Sequence, residues 1–160
     1  MEWEKATDVI LISALAVFAI FVWLGIFQWI RRKSFLKIDK NLLWALLPLI
    51  LMSLVYFLFD KVFVLNVRPN GSGEPSFPST HVMVVATIFF MVAINLKKYI
   101  ANVYIRFFLY TIMLVLIALV SYGRVIANMH WISDVLGGLG FAAIFAVIYY
   151  FVTRKAFKNE

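Results

Sequence analysis

The sequence predicts an all-α integral membrane bundle of five transmembrane helices, and three observations predict it. Hydrophobic residues make up 64% of the 160-residue chain and charged residues only 14%, against roughly 45–50% and about 25% in soluble domains. The charges are spaced so that they leave five long uncharged stretches, at residues 9–30, 41–59, 75–96, 107–123 and 135–153. Those stretches are apolar on every face, whereas barrel strands would alternate. Disorder is excluded by the hydropathy, whose mean is +0.95, since disordered chains are poor in apolar residues. Cysteine is absent, which excludes disulfides, thiolate metal sites and cysteine nucleophiles. The length fits a single domain, residues 1–160.

At 1.5 Å per residue, about 20 apolar residues cross the hydrocarbon core. The first stretch predicts a span at about 9–30. A cleaved signal peptide would need a basic flank before it, but residues 1–8 carry Glu2, Glu4 and Asp8 against Lys5. The second span is expected at 41–59. The third opens on a Pro- and Ser-rich piece, so its helix is expected at about 80–96. The fourth, about 106–121, is short and has room to extend at either end. The fifth is expected at 132–153.

Basic residues then orient the chain. Arg31, Arg32, Lys33, Lys37 and Lys40 follow the first span; Lys97, Lys98 and Arg106 follow the third; Arg154, Lys155 and Lys158 follow the fifth. By the positive-inside rule these alternate connections are cytoplasmic, the N-terminus is outside and the C-terminus is inside. The net charge of +7 is therefore mainly a topology signal, and nucleic acid is not an expected partner. Trp3, Trp23, Trp29, Trp44 and Trp131 suit interfacial belts.

The connections at 59–81 and 121–134, both expected outside, differ from ordinary joints. They hold both histidines of the chain, His81 and His130, with Lys61, Arg68 and Arg124. Ionisable groups beside membrane spans are costly and default to function. Three permanent cations and two imidazoles suit a polyanion, above all a phosphate. Pro78-Ser79-Thr80-His81 opens the third span, so free backbone N–H groups and the positive helix end face the same pocket. Ser79 or Thr80 suits a cap or an anion contact. His130 and Asp134 share a helical face if 129–134 is helical. The carboxylate then orients the imidazole and leaves its other nitrogen free to attack.

These residues resemble a known pattern. Lys61, Arg68 and Pro69 meet K-x6-R-P; Pro78-Ser79-Thr80-His81 is similar to P-S-G-H; Arg124, His130 and Asp134 meet the R-x5-H-x3-D part of a third motif. In that order, from Lys61 to Asp134, they resemble the type 2 phosphatidic acid phosphatase superfamily, membrane lipid phosphatases related to vanadium haloperoxidases. The resemblance implies that His130 is the nucleophile that becomes phosphohistidine, that Asp134 orients it, and that His81 protonates the leaving oxygen. It implies phosphate binding by Lys61, Arg68, Ser79, Thr80 and Arg124, with no metal and no cofactor. Two positions depart from the pattern. Thr80 replaces a glycine and narrows the pocket, and Gly123 replaces a serine and removes a hydroxyl. The usual architecture has six spans, so five implies one peripheral helix fewer.

Other residues have plainer readings. Asp60 is a span end without an assigned role, Glu74 is solvated loop, and Gly137, Gly138 and Gly140 are small-residue helix packing. Arg31 to Lys40 also suits anionic lipid heads. The expected function is metal-independent hydrolysis of a lipid phosphate or diphosphate at the outer face of the cytoplasmic membrane. A polyprenyl diphosphate is the leading substrate, with phosphatidylglycerophosphate or phosphatidic acid as the alternative. A non-catalytic lipid-phosphate binder or transporter component is the rival from another class.

Overall fold

A computed structural model describes residues 2–34 and 37–157, with backbone alone for 155–157. Lys158, counted above among the cytoplasmic basic residues, lies outside the described residues. Helix α1 is Glu2–Arg32, α2 Lys40–Trp44, α3 Leu46–Phe57, α4 Thr80–Tyr99, α5 Val103–Ile126 and α6 Ile132–Phe157. A π-helical turn, Leu58–Val62, extends α3. Among the described residues, five segments are long and apolar enough to cross a membrane: Glu2–Arg32, Lys40–Val62, Thr80–Tyr99, Val103–Ile126 and Ile132–Arg154. The protein is thus an all-helical membrane bundle, with the expected number of spans.

The ends of the helices differ from the charge-bounded stretches, for local reasons. Helix α1 is already helical at Glu2, the first described residue, and Glu2 and Glu4 in its first turn suit the positive end of the helix dipole. The second span breaks into α2 and α3 at Ala45. Pro48 has no N–H to donate to the Trp44 carbonyl four residues back, so the helix ladder is interrupted there. The fourth span gains residues at both ends. Asn102 caps it by accepting from the Tyr104 and Ile105 amides, and Arg106 turns back onto the Ile100 and Ala101 carbonyls at 2.8 Å each.

Helix α4 is the centre of the bundle. Val82, Val85, Ala86, Ile88 and Phe89 are buried in it, and it packs against α1, α3, α5 and α6. The outer helices instead turn large apolar side chains outward, Phe107, Leu114 and Phe151 among them, as a lipid-facing surface requires. The α4–α6 approach depends on small residues: a side chain at Gly138 would meet the Ser79 carbonyl oxygen at 2.8 Å, and one at Gly137 the Phe77 ring. Gly140 has open space beside it, so close packing explains two of the three glycines.

Polar ties hold the end of the bundle remote from the histidines. Asn41 donates to Asn95 at 2.6 Å, Asn95 to the Tyr149 hydroxyl at 2.8 Å, and Tyr149 to the Asn41 carbonyl at 3.0 Å. Asp39 pairs with Lys98 at 3.1 Å and Arg32 at 3.4 Å. The opposite end collects the start of α1, the π turn, the start of α4, the end of α5 and the start of α6, with the two unusual connections between them.

Candidate active site

The longer connection, residues 63–79, folds back on itself. Val67 and Pro75 form an antiparallel bridge, and the Arg68 amide donates to the Glu74 carbonyl at 3.0 Å. The reversal is made by Gly71 and Gly73, at φ +77° and +73°, a region that glycine enters without the Cβ penalty. This brings Ser76 beside Asn66, its amide 2.9 Å from the Asn66 carbonyl. The shorter connection leaves α5 through Asn128 at φ +53°, where asparagine is among the better tolerated side chains. The Met129 and His130 amides close onto the Arg124 carbonyl at 3.1 and 3.2 Å.

His130 is 4% exposed. Its Nδ1 lies 2.8 Å from the Ser76 carbonyl oxygen. A carbonyl only accepts, so Nδ1 carries the proton and Nε2 holds the lone pair. Nε2 is buried with no hydrogen-bond partner among the described residues. Burial, and next the Arg124 guanidinium, push the His130 pKa down to about 4, so the ring is neutral at pH 7.

Asp134 is 0% exposed and its carboxylate is fully engaged. Oδ2 accepts from the Ser76 hydroxyl at 2.6 Å and the Trp131 amide at 2.9 Å; Oδ1 accepts from Asn66 at 2.9 Å. The bond to Trp131 is the reach-back contact of a helix start. Accordingly α6 begins at Ile132, and residues 129–131 are outside it. The helical-face expectation for 129–134 is therefore not met. Asp134 Oδ2 is still only 3.8 Å from His130 Nδ1, but that exceeds a hydrogen bond. Asp134 reaches the imidazole through Ser76, whose hydroxyl it binds and whose carbonyl holds the ring.

A cleft of about 140 Å³ opens between these segments, lined by Tyr56, Asp60, Arg68, Pro75, Ser76, Phe77, Pro78, Thr80 and His130. It therefore brings together His130, Arg68 and Thr80 of the expected set. Arg68 is tied to Glu74 at 2.8 Å, so Glu74 is a partner to the site, not merely solvated loop. Ser79 is the residue before α4, with no side-chain cap. Its buried hydroxyl has no partner among the described residues, and its amide donates to the Asp134 carbonyl at 2.9 Å.

Lys61 is not brought into the cleft. Its side chain is 66% exposed and paired with Asp60 at 2.8 Å, and Asp60 is the one that lines the cavity. The wider π turn at Leu58–Val62 sets which of the two neighbours faces in. Asp60 received no role from its sequence position, because a charge beside a span end looks the same whichever way it turns.

His81 and Arg124 meet residues of α1. His81 Nε2 lies 2.9 Å from Asp8 Oδ1, and Arg124, 3% exposed, has Nη1 3.8 Å from the same oxygen and 3.5 Å from the Thr7 hydroxyl. Trp131 donates its indole N–H to the Val67 carbonyl at 2.8 Å, pinning one connection on the other. Ser76, Asn66 and Asp8 were invisible to motif reading: each acts through a contact made only when distant segments meet.

Fold and site together define a class: a multi-pass membrane protein with a polar, histidine-bearing pocket at one end of its helix bundle. Residues 59–158 match the family model of the PAP2 superfamily, and the chain belongs to that superfamily, the type 2 phosphatidic acid phosphatases. It is accordingly a phosphatase. Among solved structures it is similar to the first transmembrane PAP2-type phosphatidylglycerolphosphate phosphatase from Bacillus subtilis, at 24% identity and a TM-score of 0.61, over 97% of this chain and 76% of that one. No curated protein matches.

Proposed function

We propose that the chain hydrolyses a phosphate or diphosphate carried on a lipid, through a phosphohistidine on His130. The observation that carries this reading is the buried His130 ring, with Nδ1–H held by the Ser76 carbonyl and Nε2 without a partner among the described residues. Nε2 attacks phosphorus, the N–P bond forms, and the bond to the leaving oxygen breaks. His81 gives that oxygen its proton. Water then attacks the phosphohistidine while His81 takes a proton back, and inorganic phosphate and neutral His130 are returned. Arg68 and Arg124 stabilise the phosphoryl charge, the Ser79 hydroxyl and the cleft wall at Thr80 contact its oxygens, and Lys61 joins them on leaving Asp60. Asp134 orients His130 through Ser76. No metal enters this scheme.

The site faces the outer side of the cytoplasmic membrane, the orientation that the basic connections favour. A polyprenyl diphosphate is the preferred substrate, in keeping with the resemblance. Phosphatidylglycerophosphate is the second reading, favoured by the activity named for the Bacillus subtilis neighbour. Phosphatidic acid is the third member of the panel.

The test is phosphate release by the purified chain from all three lipids, with chelator present and with vanadate as a phosphate mimic. Release is expected to survive chelation. His130→Ala is expected to abolish release while lipid-phosphate binding persists. Release that continues in the variant would refute the nucleophile, and wild-type binding without release would favour the non-catalytic binder.

A further inference from the structure

We infer that Asp8 of α1 is a positioning residue for His81, so that a helix outside the matched family segment completes the catalytic site. The inference rests on the phosphohistidine reading above for the role of His81, and on separate geometry for Asp8. The family match begins at residue 59, whereas Asp8 reaches His81 Nε2 at 2.9 Å from the second turn of α1. An ionised carboxylate accepts and never donates. Nε2 therefore carries a hydrogen committed to Asp8, and the nitrogen left to exchange protons is Nδ1. In the reaction, the doubly protonated His81 ring passes its Nδ1 proton to the leaving oxygen and becomes neutral, and the vacated Nδ1 later takes a proton from the attacking water. Nε2–H stays on Asp8 throughout, so the ring neither flips nor changes the nitrogen it works with.

A second observation explains why α1 comes so close. A side chain at Gly123 would meet Thr7 Cγ2 at 2.6 Å and the Trp3 ring at 3.2 Å. With a serine at this position, as in the pattern the chain resembles, this approach would be blocked. Glycine instead admits Thr7 and Asp8 against α5, where Asp8 Oδ1 also comes within 3.8 Å of Arg124.

The chain holds only two histidines, which makes a direct test practical. In the 160-residue chain labelled with ¹⁵N-histidine, His81 is expected to show the Nε2–H tautomer at a pH where the ring is neutral and both N–H groups when it is protonated. Asp8→Ala should shift the His81 signals, leave those of His130 in place and lower kcat about tenfold, a fraction of what a positioned acid contributes. Vanadate affinity should stay unchanged. Asp8→Asn keeps an acceptor oxygen and should restore the His81 signals and most of kcat.

Unmoved His81 signals, or an unchanged kcat, in Asp8→Ala would overturn the assignment. So would an Asn variant as impaired as the Ala variant. Tighter vanadate binding in Asp8→Ala would also overturn it, since the carboxylate would then merely occupy an anion's place. A wild-type chain that releases no phosphate refutes the phosphatase reading instead, and the tautomer measurement still decides the Asp8 contact.

Discussion

The neutrality of His130 can be tested by titrating it. An exposed imidazole has a pKa of about 6.5 and is only about 9% neutral at pH 5.5, whereas one pushed down to about 4 is about 97% neutral there. The cause is burial first, then the Arg124 charge, with Arg68 adding in the same sense and the Ser76 carbonyl and Asp134 opposing. The His81→Ala variant leaves His130 as the sole histidine, so ¹⁵N shifts followed from pH 8 to 3.5 report it alone. A midpoint near 4 is expected. A midpoint at 6.5 or above would refute the reasoning, because the ring would then be neither dry nor flanked by uncompensated guanidinium charge.

The same shift has a stability consequence of definite sign. The folded pKa lies below the unfolded one, so between pH 4 and 6.5 the unfolded chain binds more protons. Stability therefore rises with pH through that window. The His130 contribution is complete above pH 6.5 and is lost as pH falls through about 4, a difference on the order of 3 kcal/mol. Thermal unfolding of wild type in detergent should show that slope, and His130→Ala should lack its share of it.

Two further outcomes follow from the cleft. Ser76→Ala removes the 2.6 Å bond to Asp134 and should cost about 1–3 kcal/mol, as for a buried acceptor that loses its donor; thermal unfolding measures this, and phosphate release should show a lower kcat at little changed KM. Asp60→Asn removes a carboxylate from the cavity wall and frees Lys61, so vanadate should bind several-fold more tightly by competition against phosphate release.

The fold was legible because burial in lipid leaves a coarse signature. Uncharged runs located the spans, and charge placement grouped His81, Arg124 and His130 at one end. What escaped was local or tertiary. Pro48 broke the second span without disturbing its hydropathy, and α5 starts at Val103, ahead of the expected 106, because Asn102 caps it there and the Arg106 guanidinium binds the carbonyls of Ile100 and Ala101. Asp134 was correctly placed near His130, but the spacing of four suggested a direct bond, and the structure routes the contact through Ser76. No periodicity encodes that route. Lys61 and Asp60 are adjacent, and only the π turn decides which of them faces the cavity.

Gly123 shows how a departure from a pattern changes meaning once neighbours are known. Read along the chain, it is a lost hydroxyl beside Arg124. In the bundle, the space of the missing side chain is taken by Thr7, whose own hydroxyl lies 3.5 Å from Arg124 Nη1. The polar contact is thus supplied from another helix, and the same close approach delivers Asp8 to His81. Loss of a side chain on α5 and gain of a carboxylate from α1 are one structural event, which is why neither position discloses its role alone.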